Sequence, residues 1–86
     1  MLKFKNEESK KKFENDKFSQ ILLKNAKVTK YINNDYGTVP EIYQYKNVTI
    51  EYIMHWGFYK INNKSISMLP DSIKELDYDI ERLLRK

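Results

Sequence analysis

EIYQYKNVTIEYIMHWGFYKINNKSI, residues 41–66, decides the fold. Apolar and polar residues alternate along much of it, as in strands that bury one face. Asn or Gly recurs where the alternation resets, at Lys46-Asn47, Trp56-Gly57 and Asn62-Asn63. These residues tolerate the positive φ of two-residue hairpin turns. Taken as such turns, the three sites fix a register. Tyr45 faces Val48, and Tyr43 faces Ile50. Met54 faces Tyr59, Tyr52 faces Ile61, and Ile66 faces Tyr59. Opposed residues share a face. One face is then Tyr43, Tyr45, Val48, Ile50, Tyr52, Met54, Tyr59, Ile61 and Ile66. The other holds Ile42, Gln44, Thr49, Glu51, Ile53, His55, Phe58 and Lys60. Three turns placed independently produce one coherent apolar face.

The segments on either side fit this sheet. TVPEIYQY (38–45) opens it, NNDYG (33–37) is turn chemistry, and KVTKYI (27–32) is β-branched and aromatic. Residues 6–25, NEESKKKFENDKFSQILLKN, read as helix, capped by Asn6 or Ser9, with Glu7 and Glu8 where the macrodipole favours acids. Phe18, Ile21 and Leu22 form an imperfect apolar stripe, with Phe13 upstream. Asn15-Asp16 is a point where two shorter helices would part. A second helix follows Pro70, with Ser72 to Glu75 as a capping box. Ile73, Leu76, Ile80, Leu83 and Leu84 make its stripe. The order α-β-β-β-β-(β)-α predicts one α+β domain over residues 1–86. It is a four- or five-stranded antiparallel meander flanked by an N-terminal and a C-terminal helix.

Composition sets outer bounds. A chain of 86 residues buries only roughly 60% of its unfolded surface, which leaves room for one core. Charged residues are 33%, yet the net charge is +4, the pattern of a solvated folded surface. Nine lysines and four acids fall in residues 1–30, so the positive charge gathers there. Cysteine is absent, which excludes disulfides and thiolate metal sites and sets the expectation of a cytoplasmic protein. The basic start, MLKFKNEESKKK, has no apolar run behind it, and no window is apolar enough to span a membrane. Lys, Ile, Asn and Tyr number 14, 9, 8 and 7, or 38 of the 86 residues. An AT-rich genome writes that bias. The expected source is a low-GC bacterium, or a phage or mobile element within one.

Candidate chemistry is sparse. Zinc needs several converging N or S ligands, and His55 is the only histidine. Asp77, Asp79 and Glu81 are close in sequence, but on a helix Asp79 points away from the other two. No metal or cofactor is expected. Small basic ribonuclease toxins work with His, Tyr, Lys or Arg on a sheet without metal, and size and charge here suit that class. Their arginine-rich strands are missing, since the only arginines are Arg82 and Arg85. His55 would be the acid/base of such an enzyme. Nucleic-acid binding is the broader alternative, with Lys10, Lys11, Lys12 and Lys17 on the first helix meeting phosphates. The leading expectation is a non-catalytic protein-binding module, self-association included, and an inhibitor of a host or defence protein if the source is a phage. Its surface would be the second sheet face and the adjoining turn: Ile42, Ile53, His55, Trp56 and Phe58. Buried Trp dominates binding hot spots. In this reading Gly57 supplies positive φ for the turn, and Gly57→Ala destabilises the hairpin.

Overall fold

The computed structural model describes residues 2–85 and shows an α+β fold of three helices and a six-stranded antiparallel sheet. The elements are β1 (Lys3–Phe4), α1 (Glu7–Glu14), α2 (Lys17–Asn25), β2 (Lys27–Asn34), β3 (Gly37–Tyr45), β4 (Val48–Glu51), β5 (Tyr59–Ile61), β6 (Lys64–Ile66) and α3 (Ile73–Leu84). Strands β2 to β6 form the expected meander. The two-residue strand β1 is an addition that the sequence pattern does not reveal.

Two of the three proposed turns are present. Tyr45 pairs with Val48 around Lys46-Asn47, where Lys46 takes φ 53°. Ile61 pairs with Lys64 around Asn62-Asn63, at φ 48° and 72°. Two adjacent residues at positive φ are the pattern of a type I′ turn, which matches the twist of the strands. The third turn is a correction. β4 stops at Glu51, Ile50 pairs with Ile61, and residues 52–58 form a loop between β4 and β5. The register is thus two residues from the expected one. A shift of two preserves the face, because side chains alternate with period two. Eight of the nine residues assigned to the apolar face are buried, and Ile66 is half-buried. Positive φ in this loop falls on His55, at 71°, and Gly57 lies outside the left-handed region.

The strand ends early because Tyr52, Ile53 and Met54 are three apolar residues in a row. Continued alternation would leave Ile53 on the open face. By leaving the sheet the chain buries all three. The loop departs through a gap in the edge of β3. Gly37 and Thr38 pair with both β1 and β2, so β1 lies on the side of β3 away from β2. β4 takes up that same side only from Ile42 onward. Pro40, which lacks an N–H, sits in the interval, and the Tyr52 amide donates to the Glu41 carbonyl there at 3.0 Å. Bulges at Thr29 on β2 and Glu41 on β3 accompany the gap, as the register shifts show.

The first helical segment divides at Asn15-Asp16. Asn6 caps α1 by accepting from the Ser9 amide at 2.8 Å, and Asp16 caps α2. Both α2 and α3 cover the apolar face. Phe18 and Leu22 from α2 and Leu76 and Ile80 from α3 join Tyr43, Tyr45, Val48, Ile50, Tyr52, Tyr59 and Ile61 in one core. Phe18 meets Tyr52 and Tyr59 edge to face, with centroids 4.8 and 4.9 Å away. α1 packs at the other end, where Phe13 contacts Phe4 of β1 at 5.4 Å.

Burying tyrosines this deeply requires partners for their hydroxyls. Helix-borne aspartates supply them. Tyr52 Oη donates to Asp16 Oδ2 at 2.8 Å, Tyr59 Oη to Asp79 Oδ2 at 2.8 Å, and Tyr45 Oη to Asp77 Oδ1 at 2.7 Å. Burial first, and then the neighbouring carboxylate, pushes the Tyr52 and Tyr59 hydroxyls well above the ordinary phenol range. In the unfolded chain these groups ionise near pH 10. The fold holds them neutral, so their stabilisation is complete below that pH and is lost as pH rises above it. Melting temperature should therefore fall steeply above about pH 10. The Tyr52→Phe/Tyr59→Phe variant should start lower at neutral pH and lose less per pH unit. Thermal melts from neutral to alkaline pH check this; parallel curves would refute it.

Candidate binding surface

The loop between β4 and β5 places the chain's only Trp and only His beside the β2–β3 hairpin. Its conformation follows from one turn. The Trp56 amide donates to the Ile53 carbonyl at 3.0 Å, which makes residues 53–56 a turn with His55 in its third position. Type II turns need positive φ there. His adopts it more readily than β-branched residues do. Ile53 and Met54 point into the protein, while His55 is exposed at the tip. Trp56 then folds back, half-buried, against the core. Its ring stacks on Phe58, with centroids 4.8 Å apart and planes 11° from parallel.

Two residues that sequence reasoning does not single out complete the site. The His55 ring lies 5.6 Å from that of Tyr36, in the β2–β3 turn. The Lys12 ammonium from α1 sits 6.0 Å from the Tyr36 centroid. Tyr36 is held in turn by the Asn34 side chain, which accepts from its amide at 2.9 Å, and by the Lys5 amide, which donates to its carbonyl at 2.9 Å. Asn34 in the NNDYG segment is a turn signal, but nothing local announces that this turn meets His55, about 20 residues further on. A shallow cleft of about 370 Å³ opens between the hairpin and the loop. Ile32, Ile53 and Met54 give it an apolar part, Asn34 and Asp35 a polar one, and Tyr36, His55 and Trp56 complete the lining.

The five residues expected to meet a partner are therefore not one patch. His55 and Trp56 share the cleft, and Phe58 joins them through its stack on Trp56. Ile53 contributes to the cleft wall but is 8% exposed, so it acts as support more than as contact surface. Ile42 stays apart on the open sheet face, between Lys30 of β2 and Glu51 of β4.

The basic cluster is dispersed too. Lys10 and Lys11 are exposed on α1, whereas Lys17 begins α2, beyond the break. Lys12 lies 3.7 Å from Glu8, and Lys17 lies 4.0 Å from Asp71. Two of the four positive charges thus have acidic neighbours. The acids of α3 are also committed. Asp77 accepts from Tyr45 and Lys46, which hold its carboxyl below the usual carboxylate range, and Asp79 accepts from Tyr59 and pairs with Arg82. Among the described residues, no group of three or more His, Cys, Asp or Glu side chains is arranged to hold a metal ion, and no helix is long and apolar enough to cross a membrane.

Comparison with protein-family models, curated proteins and solved structures returned no match.

Proposed function

We propose that this chain is a non-catalytic protein-binding module whose contact surface is the cleft of His55, Trp56, Phe58 and Tyr36. One observation carries the reading. A stacked Trp–Phe pair and an exposed His ride on a loop that has left the sheet, over a cleft that joins apolar side chains to the polar Asn34 and Asp35. Rigid aromatic side chains lose little entropy on binding, and their supports Ile53 and Met54 are locked in the interior. The AT-rich composition adds a class: a phage or mobile-element protein acting in the cytoplasm on a host or defence protein.

One observation favours a second reading. Lys12, Tyr36 and His55 form a row of cation, phenol and imidazole, and Lys10 and Lys11 lie open on the same helix as Lys12. Such a row suits the phosphates and bases of nucleic acid.

A single experiment separates the two. Immobilised protein is incubated with low-GC bacterial lysate, with and without nuclease, beside the His55→Asp variant. His55 is exposed, and Asp tolerates positive φ, so the variant should keep its circular dichroism and melting temperature. The protein-binding reading expects a retained protein that survives nuclease and is lost with the variant. It also expects Trp56 fluorescence to be partly quenched by iodide in the free chain and protected in the complex. Retention that disappears with nuclease favours the nucleic-acid reading. Retention indifferent to His55→Asp rejects this surface.

A further inference from the structure

We propose that two copies of this chain associate through the solvent face of α3, antiparallel about a two-fold axis at Ile80. Glu75, Tyr78, Arg82 and Arg85 recur at spacings of three, four and three residues. They form one stripe, on the side of the helix away from the buried Leu76 and Ile80. The spacings are symmetric about Ile80, and the charges are not. The stripe reads acid, aromatic, base, base. An antiparallel copy therefore sets Glu75 against Arg85 of the partner subunit and Tyr78 against Arg82 of the partner subunit. The axis repeats both contacts, and antiparallel helices also oppose their dipoles favourably. Within one chain the Arg82 guanidinium lies 5.6 Å from the Tyr78 ring and 3.4 Å from Asp79, and Arg85 lies 3.1 Å from Glu81, so the contacts across the axis exchange exposed pairs within the helix for pairs with the partner subunit.

Exposure points to the same face. Met68 at 78% and Tyr78 at 63% are the most exposed large apolar side chains among the described residues. With Ile66, Leu69 and Arg82 they line one cleft of about 330 Å³ beside the stripe. Met, Tyr and Arg are the residue types enriched in interface cores. The sheet edges offer a poorer route. β6 has three residues, and β2 carries Lys27, Lys30 and a bulge, the features that blunt an edge against strand addition. The α3 face shares no residue with the His55–Trp56 cleft, so the two surfaces stand or fall separately.

Charge reversal tests the register. Sedimentation equilibrium of the wild type from micromolar to millimolar concentration should show a mass rising from 10.4 kDa toward twice that value. Arg85→Glu alone sets Glu against Glu75 at both ends of the dimer, and Glu75→Lys alone sets Lys against Arg85. Each should weaken self-association about tenfold or more. An equimolar mixture of the two single variants should associate again, since both contacts between positions 75 and 85 then join opposite charges. Glu75 also accepts from the Asp71 amide at 2.8 Å. Circular dichroism must therefore show that its variant is folded, and Tyr78→Ala gives the same loss without touching a cap. A wild type that remains monomeric throughout overturns the proposal. So does a mixture that associates no better than the single variants, or a Tyr78→Ala variant that dimerises like the wild type.

Discussion

Asp16→Ala is expected to lower the stability of the fold by about 3 kcal/mol, the largest effect of any single polar truncation in this chain. One carboxylate oxygen of Asp16 does three things. It accepts from the Ser19 amide at 3.2 Å and so caps α2, it accepts from the Ser19 hydroxyl at 2.7 Å, and it accepts from the Tyr52 hydroxyl at 2.8 Å. Loss of an N-cap costs about 1 kcal/mol. Loss of a hydrogen bond to a charged acceptor costs about 1.5–3 kcal/mol when the donor stays buried. Tyr52 and Ser19 are both fully buried, so water does not replace the missing oxygen. The melting temperature should drop by about 12 °C or more, at roughly 4–8 °C per kcal/mol for a domain of this size. Asp16→Asn keeps an oxygen for the cap and for the hydroxyl, and should cost about 1 kcal/mol. Urea titrations of the three proteins decide the matter. Equal losses for Ala and Asn would mean that the charge, not the oxygen's position, is what α2 and Tyr52 need.

Asp16 also shows what local pattern can and cannot reveal. Its position before Lys17 and the neighbouring Asn15 mark it as a place where a helix ends or begins. Its bond to Tyr52, 36 residues away, leaves no local trace. The same holds for Asp77 with Tyr45 and Asp79 with Tyr59. Those acids read as a solvated helix face, although the buried tyrosines are themselves a signal that acceptors must lie nearby. The apolar sheet face is legible because each of its determinants is short-range: alternation within strands, and turn residues between them. The loop at residues 52–58 misleads for a related reason. Gly57 resembles a turn residue, and alternation persists to His55. The signal against a strand is Ile53, an apolar side chain where the pattern puts solvent. Of the candidate surface, His55, Trp56 and Phe58 are legible as neighbours in sequence. Tyr36 and Lys12 come from elements joined to them only by the tertiary fold. Ile42 groups with them only if the strand continues past Glu51, which it does not.

Gly37→Ala should destabilise the protein by about 2–4 kcal/mol, while Gly57→Ala should stay within about 0.5 kcal/mol of wild type. The contrast follows from where each glycine sits. Gly37 holds φ 120°, a conformation that side chains rarely adopt, and it faces β1 at close quarters. A Cβ there would lie 2.2 Å from the Lys3 carbonyl oxygen and 2.8 Å from the Lys5 amide nitrogen, both backbone atoms that cannot swing aside. The only relief is to expel β1. That breaks the pairing of Lys3 with Thr38 and of Phe4 with Gly37, and frees the Lys5 amide from the Tyr36 carbonyl. Phe4 then leaves Phe13, which is only 3% exposed while that neighbour is in place. Losing Phe4 loosens α1 against the β2–β3 hairpin, and with it the position of Lys12 over Tyr36. At Gly57 a methyl group would have nothing within 4 Å, and φ is outside the left-handed region, so Ala meets neither clash nor strain. Amide hydrogen exchange gives the sharper readout. In Gly37→Ala the Lys5 amide should lose its protection while the amides of β4 and β5 keep theirs. Protection at Lys5 equal to wild type would mean that β1 has another hold on the sheet, and that the Tyr36–His55 pair does not depend on it.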